Sequence, residues 1–241
     1  MSATARPSGT SSSSQLDLVL RRAGAILSTR DGRPVAINFG SAAAELAVCV
    51  RTVGLVDRSE LSPLALEAPP AQLAALTRRL VGATVSPGGL VSGAGAWWCG
   101  EASDRVIVVC DPRTAARLAG GLRADAARHV RVRDLSDELA AIGLLGRNTS
   151  QVLSALGVYG ASGDPREARP FACGSVDGTP VWWLLQSDRR ALALVGREHI
   201  GEAWLAIERA GREYGISCVG QEAAARYTLM ERLRPATLPF V

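Results

Sequence analysis

Asp57 and Asp134 are the carboxylates whose setting first suggests chemistry. Each stands in the same short phrase, Asp-x-Ser, close to an apolar run: Asp57-Arg58-Ser59 and Asp134-Leu135-Ser136. A carboxylate held at the end of a strand can serve as a general base. The same phrase is also how a chain turns, because an Asp side chain accepts the backbone N–H two residues on. Turn chemistry and capping are the simpler account, and the catalytic reading stands beside it. Cys218 is a third candidate: as a nucleophile it would need a depressed pKa, and otherwise it is an ordinary loop thiol.

What is missing narrows the choice. The 27 basic residues are all Arg, so a Schiff-base lysine, a P-loop lysine and a Ser-Lys pair are excluded. The net charge of +4 is modest and the arginines are scattered among acids, so no nucleic-acid partner is expected. Five Cys without Cys-x-x-Cys spacing, and two His, at 129 and 199, suit neither a zinc site nor a disulfide framework. They point to a reducing, cytoplasmic setting. No apolar run approaches membrane length, so no membrane partner is expected. Neither Gly-x-Gly-x-x-Gly nor Gly-x-Ser-x-Gly occurs.

The elements that would position these residues come in two copies. Trp97-Trp98 leads through Ser103-Asp104-Arg105 into an apolar run, and Trp182-Trp183 leads through Ser187-Asp188-Arg189 into another. Both read as hairpins, each followed by a helical pattern, residues 112–122 and 198–210. The Asp-x-Ser phrases precede the copies at a similar distance, each with a strand and a helix (70–80 and 148–156) between. The fold class is therefore α+β, two pseudo-repeated β-α-β-β-α halves with antiparallel sheets. Residues 1–15 read as a disordered tail, 16–130 as the first half and 131–241 as the second. Ahead of the repeat, residues 16–25 read as a helix and 25–40 as a hairpin turning at Asp31-Gly32. Ser41 then caps a helix to Arg51. Residues 82–95 read as a Gly-rich loop and Asp177-Gly178 as a further hairpin turn. Asn148 reads as a helix cap, and residues 211–234 as a turn and short helix. In each Trp pair, alternation along a strand sends one ring to the core. The other is free to stack on a flat heterocycle or to enter a subunit interface.

Three segments together resemble the folate-binding superfamily of the glycine-cleavage T-protein, an aminomethyltransferase. They are Leu20-Arg21-Arg22-Ala23-Gly24-Ala25 through Phe39-Gly40-Ser41 to Ala47; Val53-Gly54-Leu55-Val56-Asp57-Arg58-Ser59; and Ala203-Trp204-Leu205 through Tyr214-Gly215-Ile216 to Tyr227-Thr228-Leu229. The resemblance spans about residues 16–234. It implies a channel for tetrahydrofolate, with Trp98 and Trp183 as rings for the pterin and Arg226 and Tyr227 beside a glutamate tail. It also implies one-carbon (aminomethyl or methyl) transfer.

The departures from the family are chemical. Its acidic pair after the glycine-rich loop falls on Ala94-Gly95. Its pterin-binding Gly-Glu falls around Leu185-Gln186, and Leu46 stands where it often has His. The sequence stops where the family's barrel would begin, as in the similarly sized γ subunit of heterotetrameric sarcosine oxidase. Cys218-Val219-Gly220-Gln221-Glu222 is similar to the Cys-x-Gly-Gln-Glu motif of a folate-fold protein tied to iron–sulphur cluster assembly. Two functions follow from the resemblance. One is a folate- or pterin-binding protein linked to one-carbon transfer, without the usual catalytic carboxylates. The other is a non-catalytic accessory subunit of an amine oxidase, or a scaffold repurposed for another small molecule. The expected partners are a small heterocyclic ligand and either a second copy in a homodimer or a flavoprotein oxidase.

Overall fold

The computed structural model describes residues 15–124, 130–159 and 168–233. Helix α1 (Gln15–Arg22) leads into a two-stranded hairpin, β1 (Ile26–Arg30) and β2 (Arg33–Asn38). Asp31 and Gly32 both take positive φ, 49° and 81°, the two-residue turn that suits the twist of paired strands. Asp177 and Gly178 do the same between β10 (Phe171–Val176) and β11 (Thr179–Ser187). A third such turn was not legible. The Gly-rich stretch 82–95 is not loop throughout, for it contains β5 (Leu90–Gly93), joined to β6 (Ala96–Ala102) across Ala94-Gly95. Alanine rarely occupies the left-handed region, so that turn carries no Asp-Gly or Asn-Gly signature.

The Trp hairpins form as expected: β6 with β7 (Arg105–Cys110), and β11 with β12 (Arg190–Gly196). Helix α4 (Pro112–Ala124) follows the first; a short 3₁₀ turn and α6 (Ile200–Gly211) follow the second. Upstream of each hairpin lie two strands and a helix. These are β3 (Val53–Asp57), β4 (Ser62–Glu67) and α3 (Pro70–Val81) in one copy, and β8 (Arg131–Asp134), β9 (Leu139–Leu145) and α5 (Thr149–Ala155) in the other. The protein is thus α+β, and each copy runs β-β-α-β-β-β-α, two strands richer than the sequence pattern suggested. Outside the repeat, besides α1 and the β1–β2 hairpin, are α2 (Ala42–Arg51), β13 (Ile216–Cys218) and α7 (Gln221–Leu233). Ser41 caps α2 through Oγ, which accepts the Ala44 N–H. Asn148 occupies the cap position of α5 without capping it; its amide donates to the Tyr214 carbonyl instead.

The two sheets exchange their first strands. Strand β3 leaves its own copy to lie beside β9 in a six-stranded sheet ordered β10-β11-β12-β9-β3-β13. Strand β8 lies beside β4 in a five-stranded sheet ordered β5-β6-β7-β4-β8. All these pairs are antiparallel except β13 with β3, which is parallel. The Asp-x-Ser phrases are the crossovers. Asp57 Oδ1 accepts the Ser59 N–H at 2.9 Å, and Asp134 Oδ1 accepts the Ser136 N–H at 2.8 Å. Each turn sends the chain from one sheet into the other. The Arg197 guanidinium joins the crossovers, donating through Nε to the Ser136 carbonyl (2.7 Å) and through a terminal nitrogen to that of Ser59 (3.3 Å).

Helices cover the outer faces. Helices α3 and α4 pack on the five-stranded sheet over Leu64, Leu66, Trp98, Val106 and Val108. Helices α1, α5 and α6 pack on the six-stranded sheet over Leu55, Ile142, Leu144, Trp183 and Val195. Between the sheets lies a third apolar layer, in which Cys99, Ile107 and Val109 meet Phe171, Leu184, Leu192 and Leu194. Strands β3 and β9 are buried along their whole length, which is why both are near-continuous apolar runs rather than alternating ones.

Candidate functional site

A cavity of about 560 Å³ opens where β3 crosses between the sheets. Its walls come from the crossover (Arg58, Glu60, Leu61), from β6 and β7 (Trp97, Val109) and from β9 and β12 (Gly143, Arg190, Leu192). Helix α7 closes one side with Gln221, Ala224, Thr228 and Arg232, and Arg30 reaches in from the hairpin. Gly143 keeps the floor open: a Cβ there would lie 2.6 Å from Val56 Cγ1 and 3.3 Å from Arg58 Cγ.

Four arginines line this space, Arg30, Arg58, Arg190 and Arg232, against two carboxylates, Glu60 and Asp111. Both carboxylates are engaged. Glu60 Oε1 takes the Arg58 Nε at 2.7 Å. Asp111 caps α4, accepting the Thr114 N–H (3.0 Å) and hydroxyl (2.7 Å), and those bonds hold its carboxyl below the usual range. Arg190 lies among its own kind: burial, then the neighbouring Arg58 and Arg232, make its proton easier to lose than an ordinary guanidinium's. The cavity is therefore cationic, has an indole in its wall, and holds no free carboxylate from the described residues.

The residues singled out from sequence lie mostly elsewhere. Trp98 and Trp183 are not in the cavity wall. Both are fully buried under helices, and Trp98 Nε1 donates to the Gly93 carbonyl. Alternation does separate the rings of each pair, but it is Trp97 that faces the cavity, while Trp182 turns to the inter-sheet layer. Arg226 is exposed and off the wall, and Tyr227 is buried behind it with Cys49, Val56 and Val219. Asp134 serves its crossover. Cys218, on the edge strand β13, is also off the cavity; burial, then Glu208, pushes its thiol up to about 11, so it is not a ready nucleophile. His129 lies outside the described residues. Gly95 and Gln186, where the resemblance puts acidic residues, do line the cavity, with no charge on either. Four polar residues of the wall, Arg58, Glu60, Arg190 and Gln221, carry no signal of their own in the sequence, and Gln221 stands there only as part of the Cys-x-Gly-Gln-Glu resemblance. Arg58 was the unassigned middle of Asp57-Arg58-Ser59, and Arg190 follows the second hairpin turn.

Asp57 also misses the cavity, although Val56 and Arg58 on either side line it. It is buried at the end of β3, and loss of solvent, opposed by Ser59 and aided by Glu60 and Asp17, pushes its carboxyl up to about 6 from 3.8. The folded state therefore prefers the protonated acid. The associated stability is complete below the unfolded pKa and is lost as pH rises through about 6. Asp57→Asn keeps an acceptor for Ser59 and carries no charge. It should stabilise the protein by about 1–2 kcal/mol at pH 7.5 and remove the decline between about pH 4 and 7. Urea titrations across that range would show it, and an unaltered pH slope would assign the effect to another group.

No family model matches the sequence, and no curated protein matches it. Solved structures do match. Aminomethyltransferase T of the glycine cleavage system from Bartonella henselae superposes with a TM-score of 0.68 at 17% identity over 92% of this chain. The fold is that of the glycine-cleavage T-protein. The match spans 63% of the Bartonella chain. A chain of heterotetrameric sarcosine oxidase from Corynebacterium sp. U-96 superposes with a TM-score of 0.55 at 21% identity, over 73% of this chain and 93% of that one. Among the described residues, no helix is long and apolar enough to cross a membrane, and no group of three His, Cys, Asp or Glu could hold a metal ion.

Proposed function

We propose that this T-protein-fold chain binds a folate-class molecule, a flat heterocycle ending in carboxylates, in the cavity between its sheets, and that it holds the ligand rather than transforms it. The observation that carries this reading is the composition of the wall: one indole, Trp97, and an excess of guanidinium groups. An indole face suits a flat ring, and arginine forks suit carboxylates. The residues fit the group, with Trp97 against the ring and Arg190 and Arg232 toward the anionic end. Tetrahydrofolate, when bound, would supply the nitrogens that carry a one-carbon unit. This chain would orient it and keep water from one face. Among the described residues, each carboxylate of the cavity already has a partner, Glu60 in Arg58 and Asp111 in Thr114, so neither is a free carboxylate poised to carry a proton.

Calorimetric titration with tetrahydrofolate and 5-formyltetrahydrofolate tests this reading. Saturable binding near micromolar is expected, weakened about tenfold by Trp97→Ala, the scale of one lost stacking contact. Absence of heat with either ligand would remove folate from the account.

A second reading, an accessory chain of a flavin-dependent amine oxidase, is favoured by a different observation. The likeness to the sarcosine oxidase chain extends over 93% of that chain. Leu229, Met230 and Leu233 on α7 also leave apolar surface exposed. Native mass measurement of the protein purified from its own cells would show a flavoprotein bound to it, or a homodimer, or neither.

A further inference from the structure

Three residues that line the cavity each carry a side-chain polar atom that is buried without a hydrogen-bond partner: Nε of Arg190, Nε2 of Gln221 and Oε2 of Glu60. Gln221 is only 8% exposed, so its amide has little access to water. Buried polar atoms are nearly always paired, and an isolated orphan is uncommon. Here three occur on one cavity, contributed by separate elements: the start of β12, the first turn of α7, and the crossover after β3.

Their chemistry is complementary to one kind of ligand. Arg190 Nε and Gln221 Nε2 each have a hydrogen to give, and Glu60 Oε2 has a lone pair to offer. We propose that Arg190, Gln221 and Glu60 form a subsite for a carboxylate that carries an N–H donor beside it, the chemistry of an α-amino acid or its N-acyl derivative. The two carboxylate oxygens accept from the guanidinium and from the carboxamide. The neighbouring nitrogen donates to the Glu60 oxygen left over from the Arg58 ion pair, whose Oε1 is already engaged at 2.7 Å. Arg58 and Arg232 beside Arg190 make the site more receptive to an anion. A ligand that is only anionic offers Glu60 Oε2 no donor and brings negative charge toward it, so Glu60 acts as the selector against such a ligand. The inference rests on the reading of this cavity as a ligand site, and not on the ligand being folate.

Calorimetry on the full chain with L-glutamate, N-acetyl-L-glutamate and glutarate tests it. The first two should bind saturably below about 10 mM, and glutarate, which lacks the N–H, about tenfold more weakly or not at all. Arg190→Met and Gln221→Leu should each weaken the favoured ligands by about tenfold or more while the thermal midpoint confirms a folded protein. Glu60→Gln removes the repulsion, so the preference over glutarate should fall below about threefold. Equal binding of glutarate by the native protein, or no saturable binding of any of the three, overturns the subsite. Glutamate binding without tetrahydrofolate binding removes only the folate reading. Folate binding that is indifferent to Arg190→Met and Gln221→Leu, with no glutamate binding, removes only the subsite.

Discussion

Glu45→Ala is expected to destabilise the protein by about 3–4 kcal/mol, the scale of losing two hydrogen bonds to one buried carboxylate and leaving their donors bare. Glu45 sits in the first turn of α2 and is buried. Its Oε1 accepts the Phe39 N–H and its Oε2 accepts the Gly220 N–H, both at 2.7 Å. One side chain thus ties the end of the β1–β2 hairpin, helix α2 and the entry to α7, which are far apart in sequence. Backbone contact at this junction is close. A Cβ on Gly220 would overlap the carbonyl of Ile37, so no side chain there could replace the link. Glu45→Gln keeps one acceptor but points an amide at the other donor, so an intermediate loss of about 2 kcal/mol is expected. Urea midpoints of the three proteins decide the matter. A loss below about 1 kcal/mol for Glu45→Ala would mean that water or a local shift satisfies both donors. Because Gly220 directly precedes Gln221, the same variant should also loosen the α7 wall of the cavity and weaken whatever binds there.

Gly146→Ala should be the more damaging change, by more than about 3 kcal/mol, because backbone strain and overlap act together. Gly146 directly follows β9 and has φ +140°, a conformation that L residues rarely adopt. Its N–H donates to the Arg189 carbonyl at 2.9 Å, holding the second Trp hairpin against the central strand. A Cβ would overlap the Thr52 carbonyl oxygen and lie 2.6 Å from that of Cys49 and 3.0 Å from Val53 Cα. All three are backbone atoms where α2 gives way to β3, so none can swing aside. Gly157→Ala is the control. Gly157 also has positive φ, +70°, but nothing lies within 4 Å of the added Cβ. It should lose only the left-handed penalty, about 1–2 kcal/mol. Equal losses in the two variants would attribute the Gly146 effect to backbone conformation alone and discard the overlap.

What the sequence by itself determined was local. The Asp31-Gly32 and Asp177-Gly178 turns, the Ser41 cap and the two Trp hairpins follow from residue chemistry within a few positions, and all are found. The repeat, and through it the fold, was legible because it consists of such pieces in the same order. Asp57 and Asp134 were legible as turn residues for the same reason, since the bond each makes reaches only two residues ahead. The resemblance added the family outline, and with it the two uncharged positions, Gly95 and Gln186, that line the cavity.

Only the tertiary structure decided which sheet each crossing strand joins and which side of a strand meets the cavity. Strands β3 and β9 are apolar and buried on both faces, so they carry no alternation to mark one face as the site. Within Trp97-Trp98, alternation guarantees that the rings part. The ring that goes beneath α3 and α4 is set by packing of elements distant in sequence, and Trp98 is the one that went there. Arg58, Glu60, Arg190 and Gln221 come together across more than 150 residues, through a strand exchange that no local pattern encodes. Side-chain chemistry at short range wrote the turns and caps. Burial of apolar surface over the whole chain chose the pairing, and the pairing made the cavity.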